Sequence, residues 1–338
     1  MARLKASIIT PVHNTNIGML KRLAKSIEVQ NVPSDCFEWI VVFHDCEDDY
    51  RNEAITCLKS CRIEKLKILE LNDNNDSPSS PRNLGIKEAE GSIIFFVDSD
   101  DVIDEGLIKN SYSAMNRNRA DMCIYKMKRK SDSFRPSIVR QPFPKSALER
   151  IPNAEGRDEL VLIKDCWDIS DYMYGGMMTV TTKAYRRKFI IDNNIEYDNS
   201  VVFGEDALFN IVAMKKAERI VLLPRYEGYI YYNNKGSMAH TYEKSESDIL
   251  DLAASFRKIF DVADDLNMDI DCLKCELLDH FSMVLFCSKK NISDMGMILI
   301  KDMLGKDINN LEPASIEGVY PQFFLGMMAK FPQWSLGE

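Results

Sequence analysis

The stretch Phe95–Asp104 reads FFVDSDDVID. An apolar, strand-like run drives straight into Asp98, Asp100 and Asp101. Two readings fit. The acids form a polar turn after a buried strand, or they hold a cation and something bound to it. Adjacent side chains on a strand point to opposite faces and residues i and i+2 share one, so Asp98 and Asp100 would face one ligand if strand geometry ran on through Ser99. Carboxylate oxygens suit hard cations such as Mg2+ or Mn2+. A Mg2+-type ion keeps some waters and takes one or two protein carboxylates plus phosphate oxygens.

The surrounding pattern alternates strand and helix. ASIITPV (Ala6–Val12), FEWIVVF (Phe37–Phe43), LKILEL (Leu66–Leu71) and SIIFFVD (Ser92–Asp98) read as strands. Between them, Leu20, Leu23 and Ile27 mark a helix over 18–30, and Ala54, Leu58 and Cys61 mark another over 49–62. NDNNDSPSSPRN reads as a polar loop carrying Arg82 and Asn83, followed by a helix closed by Gly91. Such alternation argues an α/β fold with a mostly parallel sheet, in which ligands bind beyond the carboxyl ends of the strands. Further on, ADMCIYKMKR reads as a strand, residues 130–158 as a long irregular loop, and MMTVTTKAYRRKFI as strand then helix. Val221–Tyr232 holds strand candidates. After residue 244 the pattern is helical. Ile249, Leu252, Ala253, Phe256, Ile259, Phe260 and Ala263 form one stripe, and Leu277, Leu278, Phe281 and Leu285 another. The expected organisation is an α/β domain over 1–244 and a C-terminal helical region over 245–338.

Composition narrows the function. The 338 residues carry a formal charge of −9, which disfavours nonspecific nucleic-acid binding. An anionic substrate then needs local help from a metal or a few basic residues. Nine cysteines include one CLKC pair, Cys272 and Cys275, with no second pair at zinc-ribbon spacing, so reduced thiols of a cytoplasmic protein are expected. No leader is visible in MARLKASIITPVHN, and the longest apolar runs fall far below the ~20 residues of a membrane span. The aromatic and Met-rich tail, VYPQFFLGMMAKFPQWSLGE, reads as packed core, as an oligomer contact, or as a peripheral contact at the inner face of a membrane.

Three further features are ambiguous alone. In GEDALFN, Glu205 and Asp206 open a helix, either as a dipole-favoured N-terminus or as a general base that takes a proton from an attacking hydroxyl. Arg82 and Asn83 are a surface pair or donors to a phosphate or a base edge. His13 is a turn histidine or a ring beside a nucleobase.

In order, the chain reads ITPVHN, FHDCEDD, SPSSPRNLGIKEAEG, IFFVDSDD, FGEDALFN and YIYYNNKGSMAH, with Ser26 and Gln30 in an S-x-x-x-Q spacing. This combination resembles family 2 glycosyltransferases of the GT-A fold, of the bacterial surface-polysaccharide type, over residues 5 to about 240. The resemblance implies a Rossmann-like sheet and an inverting, non-processive transfer of a sugar from a nucleotide-diphosphate donor, by default a UDP-sugar. The acceptor is a hydroxyl of a glycan or a lipid-linked acceptor. It also implies site residues. Pro11, His13, Asn14 and Asp45 would hold the base, Arg82 and Asn83 would lie near the nucleotide, and Asp98 and Ser99 would line its ribose side. Asp100 would ligate Mn2+ or Mg2+, with His240 as an additional metal or diphosphate contact. Asp206 would be the base, with Glu205 beside it.

The chain departs from the family pattern at His13, where tyrosine is usual, and at Phe43-His44-Asp45, where two adjacent acids are frequent. FPQWS does not match the Q-x-x-R-W signature of processive synthases. The rival readings are a metal-dependent nucleotidyltransferase, for which TPVHNTN lacks a glycine-rich loop, and a non-catalytic sugar-nucleotide-binding partner subunit. Residues 131–174 and the tail are expected to shape the acceptor site.

Overall fold

A computed structural model describes residues 4–73, 77–130, 156–164, 179–232, 243–268, 270–288 and 291–310. The chain divides into two compact units. One comprises Met1–Asn199 and Phe209–Asn234, the other Ser200–Leu208 and Lys235–Glu338.

The first unit is built on a sheet of nine described strands. Four parallel strands lie in the order β3 (Leu66–Leu71), β2 (Phe37–His44), β1 (Ala6–Val12), β4 (Ile93–Phe96). The sheet continues through β8 (Lys183–Arg186), β6 (Met122–Lys130), β9 (Arg219–Tyr232) and β5 (Val102–Ile103), and β7 (Leu160–Ile163) pairs with β9. β1, β2 and β4 are buried along almost their whole length, which is why they read as continuous apolar runs rather than alternating ones. α1 (Ile17–Glu28) buries Leu20, Leu23, Ala24 and Ile27, and α2 (Asp48–Lys59) buries Ala54, Cys57 and Leu58. Gly91 passes so close to β1 that a Cβ there would sit 2.3 Å from the Ala6 carbonyl carbon.

Two expectations need correction. The strand before the acids ends at Phe96, and the chain turns at once, with the Asp101 amide donating to the Asp98 carbonyl at 3.2 Å. Asp98 and Asp100 therefore do not share a pleat face. Arg82 and Asn83 do not lie on a loop, because α3 spans Ser79–Glu88. Pro81 sits in its first turn, where a missing N–H costs nothing, so the prolines mark a helix start. Within MMTVTTKAYRRKFI the order is strand then helix as expected, β8 at Lys183–Arg186 followed by α5 (Arg187–Asp192). α4 (Leu107–Asn118) was not read from the sequence, nor were the short strands β5 and β7.

α6 (Glu205–Lys216) begins in the second unit and continues into the first. From Phe209 onward it is a core element of the sheet unit, and Phe209 packs its ring on Phe96, Tyr185 and Tyr197. Among the described residues, the second unit contains Ser200–Leu208 and the helices α7 (Glu246–Asp265), α8 (Asp271–Ser288) and α9 (Asp294–Asn310). The stripe Ile249 to Ala263 is buried throughout, as are Leu277, Leu278, Phe281 and Leu285. A capping box of Ser245 and Asp248 starts α7. Buried Asp307 of α9 accepts from Arg257 of α7 and pairs with Lys274 of α8 at 3.3 Å. No helix among the described residues is long and apolar enough to cross a membrane. The side chains of Cys272 and Cys275 and the tail from residue 311 lie outside the described residues.

Candidate active site

Because β1 to β4 are parallel, the segments after all four leave the sheet at one edge. Strand order reverses beside β1, with β2 and β3 on one side and β4 on the other. Ligands of open α/β sheets bind at such a switch point. The loop after β1 and the acidic turn after β4 flank it, joined by a 2.6 Å hydrogen bond between Thr15 Oγ1 and Ser99 Oγ.

The acidic turn is held from below. Asp101 is 1% exposed and accepts from the Tyr229 hydroxyl at 2.7 Å and the Tyr232 amide at 2.7 Å. The Tyr229 hydroxyl also accepts from the Asp98 amide at 3.3 Å. Burial, with the neighbouring charges of Asp100 and Asp98, pushes the Asp101 carboxyl well above the usual range, against the pull of its two hydrogen bonds. Arg22 lies 3.6 Å from the Tyr232 ring centroid and donates to the Asp100 carbonyl at 2.6 Å. The S-x-x-x-Q pair acts on the same segment. Ser26 Oγ accepts from the Ile103 amide, while the Gln30 amide group donates to the Asp104 carbonyl at 2.8 Å and accepts from the Ile108 amide.

This scaffold leaves Asp98 and Asp100 half-buried at the sheet edge. Asp98 Oδ1 accepts from buried Arg82 at 3.1 Å, and the Arg82 guanidinium also sits over the Tyr197 ring. Asn83 is committed within the protein. Its amide nitrogen donates to the Tyr197 carbonyl at 2.9 Å and its oxygen accepts from the Tyr197 amide at 2.8 Å. On the far side of β1, exposed His13 bonds through Nδ1 to the His44 carbonyl at 2.8 Å, and Asn14 accepts from the Glu47 amide. Asn14 and Asp45 have φ of 46° and 45°, a left-handed conformation that Asn and Asp tolerate better than most residues. Pro11 sits in β1 beyond the last residue paired with β4, where one side of the strand is no longer in the ladder.

Two places therefore concentrate donors of the kind a divalent cation takes. One is the acidic turn, whose hard carboxylate oxygens suit Mg2+ or Mn2+. The other is His44, Asp45 and Asp73, whose ligand atoms lie within 4.8 Å of one another, with His44 Nε2 2.7 Å from Asp73. Asp73 was not singled out in the sequence. The signal was its place just past the end of β3, at the same edge as Asp45. Glu205 and Asp206 open α6 after Gly204, whose φ of 82° is left-handed, and both belong to the second unit. His240 lies outside the described residues.

Replacing Tyr229 by Phe keeps the ring and removes the hydroxyl. Asp101 Oδ2 and the Asp98 amide then lose a partner in a buried site. The expected cost is about 1–3 kcal/mol, read as a lower urea midpoint. A midpoint equal to that of the parent protein would contradict the dependence of the turn on Tyr229.

Residues 7–190, more than half of the chain, match the family model described as Glycosyl transferase family 2. Among curated relatives, the poly(ribitol-phosphate) beta-N-acetylglucosaminyltransferase TarS of Staphylococcus aureus is 29% identical over 238 residues, 70% of this chain and 37% of TarS. A poly(ribitol-phosphate) beta-glucosyltransferase of Bacillus spizizenii is 25% identical over 234 residues, 69% of this chain and 33% of the relative. The N-acetylglucosaminyltransferase TarP of S. aureus is 27% identical over 240 residues, 70% of this chain and 65% of TarP. The chain thus spans about a third of the length of TarS and of the glucosyltransferase. The crystal structure of S. aureus TarS 1–349 in complex with UDP-GlcNAc superposes with a TM-score of 0.67 at 23% identity, covering 98% of this chain and 89% of that one. The likeness establishes the α/β fold as GT-A.

Proposed function

The chain belongs to glycosyl transferase family 2, and from that premise we propose that it is an inverting, metal-dependent glycosyltransferase with a UDP-sugar donor. The observation that carries this reading is the acidic turn locked at the β1/β4 switch point, with Asp98 and Asp100 presented at the edge. The acceptor is a hydroxyl of a glycan or lipid-linked polymer. Poly(ribitol-phosphate), the substrate in the names of TarS, TarP and the B. spizizenii enzyme, is the leading example. Non-processive addition, in the cytoplasm or peripherally at the inner face of the membrane, belongs to the same proposal. So does the division into a transferase domain over 1–244 and a helical region over 245–338.

In this reading His13, Asn14 and Asp45, with Pro11 below them, cradle the base, and Asp73 joins Asp45 there. Asp98 faces the ribose, oriented by Arg82 and by the Ser99–Thr15 bond. Asn83 acts through the backbone of Tyr197. Asp100 would hold Mn2+ or Mg2+, which would supply positive charge to the departing diphosphate. Asp206 takes the proton from the acceptor hydroxyl as that oxygen attacks the anomeric carbon. The bond from that carbon to the diphosphate oxygen breaks, and the diphosphate leaves with the electron pair. Glu205 lines the acceptor side. No covalent enzyme intermediate is needed, and positioning supplies much of the remaining rate.

Incubation with UDP-GlcNAc and UDP-glucose, with and without Mn2+, tests the reaction class. Slow Mn2+-dependent release of UDP is the expected result. UMP or pyrophosphate would instead indicate nucleotidyl chemistry, and no turnover of either donor would indicate a binding subunit.

A further inference from the structure

The sequence assigns the C-terminal helices no part in the chemistry. Contacts within the second unit run from those helices to the turn before Glu205. We propose that α7 and α8 hold the turn that presents Asp206, with Ser255 and the His280–Phe203 stack as positioning residues for the base. The proposal rests on the reading of Asp206 as that base.

Successive residues of the turn are held from the helices. Val201 is fully buried. The Val202 amide donates to Ser255 Oγ at 3.1 Å. Ser255 is 1% exposed, and its hydroxyl proton is committed to the Asp251 carbonyl at 2.9 Å, so the oxygen is left to accept. Lys258 donates to Ser200 Oγ at 2.7 Å. The Phe203 ring stacks on His280 at 4.5 Å and 10°, and meets Phe256 at 6.0 Å. Burial and the charge of Lys244 hold the His280 ring down to about 4, so at neutral pH it stacks as an uncharged aromatic.

Gly204 completes the grip. A Cβ there would lie 2.8 Å from Ile259 Cδ1 of α7, too close to be accommodated without a shift, and 3.8 Å from Leu277 Cδ2 of α8, in ordinary contact. Its left-handed φ turns the chain into α6, and its carbonyl accepts the helical hydrogen bond from Leu208 at 3.0 Å. Glu205 and Asp206 thus follow directly on a turn that α7 and α8 hold. A carboxylate that must meet a hydroxyl proton within hydrogen-bond reach depends on such support.

Ser255→Ala and His280→Leu test the proposal in the full chain, with UDP-GlcNAc and Mn2+ as the probe. The expected result is a roughly 10- to 100-fold fall in kcat with KM for UDP-GlcNAc changed by no more than about twofold. His280→Phe, which keeps a flat ring against Phe203, should recover most of the lost rate. Hydrogen exchange reads the grip without turnover. Amides of residues 201–208 should exchange faster in both loss variants, while those of residues 98–104 stay as in the parent. Parental exchange at 201–208, or parental kcat in both variants, overturns the proposal. Asp206→Asn separates the two failures. If that variant is inactive while Ser255→Ala and His280→Leu are fully active, only the positioning role falls. If Asp206→Asn turns over like the parent, the base assignment itself falls.

Discussion

Asp206→Asn is expected to lower transfer by roughly 10²- to 10⁴-fold, the range a general base contributes, while leaving affinity for UDP and Mn2+ unchanged. The substitution is nearly isosteric and keeps an oxygen at the start of α6, so the helix N-terminus retains a polar side chain. What it removes is the ability to accept a proton. Under the proposed roles Asp98 and Asp100 contact the donor and are untouched by the substitution, so UDP and Mn2+ binding is expected to persist. Calorimetry for UDP with Mn2+ alongside a turnover assay gives both numbers on one preparation. Full activity in Asp206→Asn would remove the base from the account. A parallel loss of UDP affinity would show that the residue acts through the fold of the site.

Asp100→Ala is expected to have the opposite signature. UDP affinity measured with Mn2+ should drop by roughly 100-fold, to the value measured in EDTA, and turnover should vanish with it. The fold should survive, because the bond that Arg22 makes at this residue goes to the main-chain carbonyl, and the turn is anchored by its neighbour Asp101. Unchanged Mn2+-dependent affinity would sink the metal assignment. It would also direct attention to the other group of donors, His44, Asp45 and Asp73.

The comparison between sequence and structure is uneven in an instructive way. The parallel half of the sheet was legible because strands buried on both faces become long β-branched and aromatic runs, and ASIITPV, FEWIVVF and SIIFF are such runs. The C-terminal stripe was legible because Ile249 to Ala263 keeps one helical period and every member is buried. α3 was misread because Ser79-Ser80-Pro81 has the composition of a loop, and the same residues are compatible with a first helical turn. Two-residue β5 offers no period to detect.

Within the site, carboxylates near strand ends were visible as motifs, but the long-range contacts that hold them were not. Asp101 reads from the sequence as a support of the turn, and the structure supplies the contacts by which it acts, to Tyr229 and Tyr232, 128 and 131 positions away. Asn83 looked like a nucleotide contact and spends its amide on Tyr197, 114 residues on. Contacts of that sequence separation leave no local trace. The S-x-x-x-Q spacing is the converse case. Ser26 and Gln30 were recognisable as a pattern, and the structure supplies its physical content, a set of hydrogen bonds that fastens Ile103 to Ile108 behind the acidic turn.

The central claim is inverting sugar transfer from a nucleotide-diphosphate donor by direct attack at the anomeric carbon. Proton NMR of UDP-GlcNAc turnover with Mn2+, followed at times short relative to mutarotation, reads it directly. UDP-GlcNAc carries an α-linked sugar, so the account predicts UDP and a first-formed β-configured product, whether the attacking hydroxyl is water or an acceptor. An α-configured product, or GlcNAc-1-phosphate together with UMP, would contradict it.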